Sequence, residues 1–179
     1  MKHSFYEPSF SQLIEVFKRF PNYPPDENNR VAIWENAFPN HRHIFMTRRN
    51  KVRLAVSWWK AIQSQEWHRV YGEKPKAVDL TYAYSFDSIK HLYMECSMRE
   101  AGIQEFLGEG NIVPITILYE DFILQYEETI RKTLQYLELD HTSVKIASPY
   151  FSQTADDISE EWTQRFRLEL QVNWENKGW

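Results

Sequence analysis

Phe10, Leu13, Ile14 and Phe17 fall at the i, i+3, i+4, i+7 spacing of one helix face, and Ser9 before them can cap it. Pro21, Pro24 and Pro25 end that helix and open a loop. A short helix is predicted over 28–37, with Val31 and Trp34 turned inward. Past Pro39 the period changes. His43-Ile44-Phe45-Met46-Thr47 is a short apolar run and predicts a buried strand. From Asn50 apolar residues return at helical spacing through Val52, Ala55, Val56, Trp59 and Ile62, to about Gln65. A strand thus passes directly into a helix at Arg48-Arg49-Asn50.

Residues 72–79 read as a loop, with Pro75 and several charges. Ser85 can cap a second long helix whose inner stripe is Ile89, Leu92, Tyr93, Cys96, Ile103, Phe106 and Leu107. Gly108 and Gly110 are expected to close it. Residues 112–119 predict a second buried strand, with Pro114 near its start and Glu120-Asp121 at its end. A further helix is predicted over 127–137 on the face Ile130, Leu134 and Leu137, and a last one from Ser159 with Trp162, Phe166 and Leu170. Strands alternating with long helices mean an α/β layer architecture with parallel strands, here expected as a single domain over 1–179.

Composition narrows the chemistry. The chain has 179 residues and 42% hydrophobic content, enough for a sizeable core. Its 5 glycines form neither a Gly-x-Gly-x-x-Gly turn nor a Gly-Lys-Ser/Thr step, so neither common phosphate loop is present. Cys96 is the lone cysteine, which excludes an internal disulfide framework. Six histidines show no convincing metal spacing; His41 and His43 would share a strand face, but no cysteine or carboxylate pattern joins them, and no metal is expected. No apolar stretch is long enough for a membrane span, and the first eight residues lack the apolar core of a signal peptide. A soluble, cytoplasmic protein is the expectation.

The net charge of −4 argues against generic nucleic-acid binding. Its distribution says more. No acid lies between Glu35 and Glu66, while that segment holds Arg42, Arg48, Arg49, Lys51, Arg53 and Lys60. One basic island in an acidic chain points to a localised anionic ligand; the alternative is a solvated cationic helix face. In open α/β sheets ligands bind beyond the carboxyl ends of the strands, and Arg48 and Arg49 sit there, just before a helix N-terminus that favours anions. Arg53 and Ser57, four residues apart on that helix, share a face and add a guanidinium and a hydroxyl. The competing reading packs Ser57 among Ala55, Trp58 and Trp59 and pairs the arginines with surface acids.

These residues resemble a known family. The segment from Arg49 to Ser57, Arg-Asn-Lys-Val-Arg-Leu-Ala-Val-Ser, resembles the 3′-phosphate-binding segment of sulfotransferases that use 3′-phosphoadenosine 5′-phosphosulfate (PAPS). More narrowly, Arg48 to Arg53, Ala55-Val56-Ser57 and Ala61 to Trp67 resemble the bacterial Stf0-type group, which sulfates sugar-containing acceptors such as trehalose glycolipid precursors or lipopolysaccharide. Phe86-Asp87-Ser88-Ile89, Val113 to Phe122 and Tyr136 to Leu139 resemble successive later segments of the group. The likeness is strongest over 38–139. It implies the three-layer, P-loop-NTPase-like parallel sheet of sulfotransferases, PAPS as sulfuryl donor, a sugar or glycolipid acceptor and a homodimer. Arg49 and Ser57 would bind the 3′-phosphate, with Arg48 and Arg53 adjoining, and Tyr119 would lie near the adenine. For Tyr119 the alternative is a core aromatic, and for Glu120-Asp121 a capping role rather than a general base.

The likeness also has gaps. Family members begin with a strand and a Pro-Arg-Ser-Gly-Thr-like loop around the 5′-phosphosulfate, and the group's proposed base, a glutamate, lies in that early region. Nothing before His43 resembles it, and 4–20 reads as a helix that normally follows it. The expectation is therefore an N-terminally incomplete sulfotransferase domain, weakly active or inactive, with its catalytic base unassigned. Asn50, Leu54 and Gln65 stand where Asp, Gln and Gly are usual. The rings of Trp58, Trp59 and Trp67 would then be partly exposed surface, or stack on a sugar, although packing in the core is the commoner role of such rings. Competing with the enzyme are a non-catalytic nucleotide-binding module of the same fold and, less well supported by the charge, a basic-helix nucleic-acid binder.

Overall fold

The computed structural model describes residues 8–21, 23 and 27–178. In chain order the elements are α1 Ser9–Phe17, α2 Arg30–Ala37, β1 Ile44–Thr47, α3 Lys51–Ser64, β2 Arg69–Val70 and α4 Phe86–Glu109. They continue with β3 Ile115–Leu118, α5 Tyr119–Leu124, α6 Tyr126–Tyr136, β4 Phe151–Ser152 and α7 Asp157–Leu170. Two compact units result: Met1–Thr47 with Met98–Ser143, and Arg48–Ser97 with Val144–Trp179. The Pro24 and Pro25 part of the expected loop, and the start of the reading over 4–20, lie outside the described residues.

The first unit contains the parallel pair β1–β3, in register from Ile44↔Ile115 to Thr47↔Leu118. The chain is thus α/β with a small parallel sheet. Both strands were expected to be buried, yet only Phe45 and Ile117 are, while Ile44 and Met46 are exposed. The register pairs Met46 with Ile117 and Phe45 with Thr116, so each face of the pair carries one buried and at least one exposed residue, and a continuous apolar run overstates its burial. Strand β3 is also shorter than expected, because Tyr119, Glu120 and Asp121 already belong to α5. Beside it, α1 and α2 enclose Phe10, Ile14, Phe17, Val31, Ile33, Trp34 and Phe106. Phe10 meets Phe106 edge-on with centroids 5.6 Å apart, a favourable aromatic geometry.

Helix ends follow side-chain chemistry, with corrections. Asn29 caps α2, accepting from the N–H groups of Val31 and Ala32. Pro8 precedes α1, so Ser9 is its first residue rather than its cap. In α7 the cap is Asp156, and Ser159 is the third residue of a capping box instead of the start. Gly108 lies within the last turn of α4, and the left-handed residue past its end is Asn111, with φ 47°.

The second unit packs α3 against α7 around Val52, Ala55, Val56, Leu80, Ile89, Leu92, Trp162 and Phe166. Trp59 sits against this core with its indole N–H on the Ala83 carbonyl at 2.8 Å, whereas Trp67 is exposed. The antiparallel bridge β2–β4 pairs Arg69 with Ser152 and Val70 with Phe151. Sequence reasoning missed it, because a two-residue strand has no readable period. No helix of the described residues is long and apolar enough to cross a membrane.

Candidate functional site

Three residues, Arg48, Arg49 and Asn50, join β1 to α3. Asn50 is extended at φ −93°, ψ 94°, and its side-chain oxygen accepts the Arg53 N–H at 3.0 Å. That takes one of the first-turn donors that have no acceptor inside a helix, and the helix dipole adds partial positive charge at the same end. No acid stands in the first turn of α3 to cancel it. Lys51 Nζ donates to the Arg48 carbonyl at 2.5 Å, which ties the link to the helix.

A cavity of about 420 Å³ opens there, lined by Arg49, Asn50, Lys51, Val52, Tyr93 and Arg167. The lining brings three cations together with no carboxylate and no imidazole. Arg49 and Lys51 come from the α3 terminus, Tyr93 from α4 and Arg167 from the last turn of α7. Tyr93 and Arg167 were not anticipated. The sequence pattern puts Tyr93 in the inner apolar stripe of α4, and the only sequence signal for Arg167 is its place after the core residue Phe166.

The other predicted residues stand elsewhere. Arg53 forms an ion pair with Glu160 of α7. The Glu160 carboxyl is held below the usual range, first by the Gln164 amide and next by Arg53, with Arg167 adding to it. Ser57 is half-buried, seven residues past Asn50 or about 10 Å of helix rise, and does not line the cavity. Arg48 is half-buried and also outside the lining. Tyr119 belongs to the other unit as the half-buried first residue of α5, with Glu120 and Asp121 in the same first turn.

Two further clusters lie elsewhere. A cavity of about 390 Å³ on α6 is lined by Glu127, Glu128, Arg131, Lys132, Gln135 and His141. In it Arg131 pairs with Glu127 at 2.7 Å and Lys132 with Glu128 at 2.6 Å. His41 and His43 do meet, Nε2 to Nε2 at 2.6 Å, and burial together with His41 pushes the His43 pKa down. Among the described residues no group of three or more His, Cys, Asp or Glu is arranged to hold a metal.

A parallel strand pair, a three-residue step and a cavity lined by Arg49, Lys51 and Arg167 at the start of a helix describe an α/β protein. Residues 8–169 match the family model of the Stf0 sulphotransferases, and the chain belongs to that family. It is 27% identical over 128 residues to the trehalose 2-sulfotransferase of Mycolicibacterium smegmatis, covering 72% of this chain and 46% of that protein. To the trehalose 2-sulfotransferase of Mycobacterium tuberculosis it is 28% identical over 127 residues, 70% of this chain and 45% of that protein. The aligned chain therefore spans about half the length of these relatives.

Proposed function

We propose that the chain is the part of a PAPS-dependent sulfotransferase that grips the 3′-phosphate of the donor, in the cavity at the start of α3. The carrying observation is that Arg49 and Lys51 line this cavity around a capped helix terminus with no acid in its lining. A phosphate there gains charge-assisted hydrogen bonds from guanidinium and a favourable helix dipole at once. The family likeness pairs Arg49 with the Ser57 hydroxyl, but Ser57 does not line this cavity, so the grip proposed here is carried by Arg49 and Lys51. The same reading makes β1–β3 part of the three-layer sheet that sulfotransferases share with P-loop proteins, which its parallel register supports.

The reaction of the whole enzyme would be transfer of the sulfuryl group to a sugar hydroxyl, the acceptor class in the relatives' names. The acceptor oxygen bonds to sulfur, the bond from sulfur to the 5′-phosphate oxygen breaks, and the hydroxyl proton leaves to a base. Adenosine 3′,5′-bisphosphate is the other product. The cavity lining offers no base, so what it contributes is binding and orientation. This favours, as a second reading, a nucleotide-binding module without turnover.

Calorimetric titration of the 179-residue chain with adenosine 3′,5′-bisphosphate tests the assignment. Saturable binding that weakens in Arg49→Ala is expected; no binding at millimolar nucleotide overturns it. Radiolabel transfer from PAPS to trehalose then separates enzyme from module, and this polypeptide alone is expected to show little or none.

A further inference from the structure

We infer that His41 and His43 form a pH-operated latch, which fastens the start of β1 to α2 while the pair carries no more than one positive charge and releases in acid. This goes beyond the donor-binding reading and does not depend on it. Asn40, in the left-handed region at φ 60°, turns the chain just after α2. Both imidazoles then meet the Trp34 ring of α2, His43 stacked on it at 6.4 Å and 30° and His41 edge-on at 6.5 Å. His43 also lies 6.2 Å from the Phe106 ring of α4. Its carbonyl accepts the Ile115 N–H at 3.1 Å, immediately before the β1–β3 register begins.

The ring nitrogens fix the proton count. His41 Nδ1 lies 2.5 Å from the Phe38 carbonyl, and a carbonyl can only accept, so Nδ1 carries a hydrogen. In the neutral ring Nε2 is then a lone pair, and it faces His43 Nε2 at 2.6 Å, which must donate. One further proton is accommodated, because either imidazolium can donate to a neutral partner across that contact. A second sets two N–H groups and two cations face to face, and the contact has to open. The surroundings do not relieve this. Burial first and His41 next push the His43 pKa down, and Glu35 of α2 pulls it up without reversing the shift. Arg30 of α2 is held by Glu109 of α4 at 2.7 Å, with Glu105 at 3.7 Å, and Arg42 pairs with Glu138. Neither β1 nor β3 carries a titratable side chain. The folded pair therefore binds fewer protons in acid than two free imidazoles, and stability falls as pH drops below the unfolded value of about 6.5.

The test follows urea unfolding of the 179-residue chain and its His41→Gln, His43→Gln and His91→Gln variants from about pH 7.5 to about pH 5. With one proton kept out of the fold, the folding constant of the unaltered chain should drop about 10- to 30-fold more over this range than that of His43→Gln. His41→Gln leaves only the burial of His43, so it should remove about threefold or more of that excess. The exposed His91 is the control, and His91→Gln should follow the unaltered chain within about twofold. If His43→Gln keeps the full drop, the pair is not its source and the inference fails. If His41→Gln keeps it, burial of His43 alone sets the pH response and the latch fails. Where a variant does not fold, the imidazole nitrogen resonances of the unaltered chain decide. Two titration steps more than about one pH unit apart, with His41 as the Nδ1–H and His43 as the Nε2–H tautomer above about pH 8, support the latch. Steps closer together than that, or the opposite tautomers, overturn it.

Discussion

Lys60 Nζ lies 2.5 Å from Asp156 Oδ2 and also donates to the Thr154 carbonyl at 2.9 Å and to Ser159 Oγ at 3.3 Å. With the residue only 7% exposed, an ammonium buried from water is satisfied entirely by the chain that starts α7. Burial pushes the Asp156 carboxyl up, but Lys60 and the Ser159 N–H outweigh it, and its pKa falls below the usual range. Replacing Lys60 by Met keeps the apolar stem and removes all three bonds. Urea unfolding should show a loss of about 2–3 kcal/mol at unchanged slope. A change under about 0.5 kcal/mol would mean the bonds merely offset the desolvation of the ammonium.

Glu66 and Arg69 form the other deeply placed pair. The carboxylate accepts from Arg69 Nε at 3.0 Å and Nη2 at 2.7 Å, with the two side chains 14% (Arg69) and 8% (Glu66) exposed. The Arg69 guanidinium holds the Glu66 pKa below its ordinary value, against burial. A depressed folded pKa means the stabilisation is complete above the unfolded value, about 4.3, and is lost as pH falls through the folded one. Glu66→Gln should therefore cost about 2 kcal/mol at pH 7, since an amide keeps part of the hydrogen bonding. The gap to the unaltered chain should close in acid, below about pH 4. A gap constant from pH 7 to 3 would show that the charge is not what matters.

Gly108 and Gly110 are two residues apart and should respond to Ala in opposite directions. A Cβ on Gly110 would lie 2.7 Å from Ile112 Cδ1 and 2.9 Å from Val31 Cγ1, inside the contact distance of packed carbon atoms. Val31 belongs to the core, so it cannot give way freely, and Gly110→Ala should destabilise by about 1–3 kcal/mol. A Cβ on Gly108 meets nothing within 4 Å, and the residue is helical. Gly108→Ala should stabilise by about 0.5–1 kcal/mol. Thermal melts of the two variants on either side of the unaltered chain would bear this out; both shifting the same way would not.

The strand-to-helix step was legible because three local signals coincide at Arg48–Asn50: the change of period, the capping Asn and the run of cations. Asn50 does cap α3, and Arg49 does line a cavity at its start. What was not legible is what arrives from far along the chain. Glu160 claims Arg53, and Arg167 enters the cavity, because Trp162 and Phe166 bury against α3. Periodicity shows which face of α7 is buried but not which helix it meets. Strand burial was misjudged for a related reason: Ile44 and Met46 are exposed although Ile117, on the same face of the pair, is buried, and an apolar run does not show where along the sheet the covering chain lies.

Gln65 shows how a departure from the family pattern becomes a physical statement. It ends α3 in the left-handed region at φ 55°, ψ 23°, at the position where the family resemblance leads one to expect glycine. A side chain there costs about 1 kcal/mol through contact of Cβ with the backbone, a penalty glycine escapes. Gln65 offsets some of it with an amide hydrogen bond to the Ile62 carbonyl at 2.6 Å, on an exposed surface where such a bond is worth little net. The Gln65 carbonyl, which receives Lys76 Nζ at 2.6 Å, is unaffected by the side chain. Gln65→Gly should therefore raise stability by about 0.5 kcal/mol, a shift of roughly 1–2 °C in the melting temperature for a chain of this size. Gln65→Ala removes the hydrogen bond but keeps the Cβ, and should lower it. If glycine lowered the melting temperature as much as alanine, the side-chain bond would outweigh the backbone strain, and a glycine expected here would need another cause.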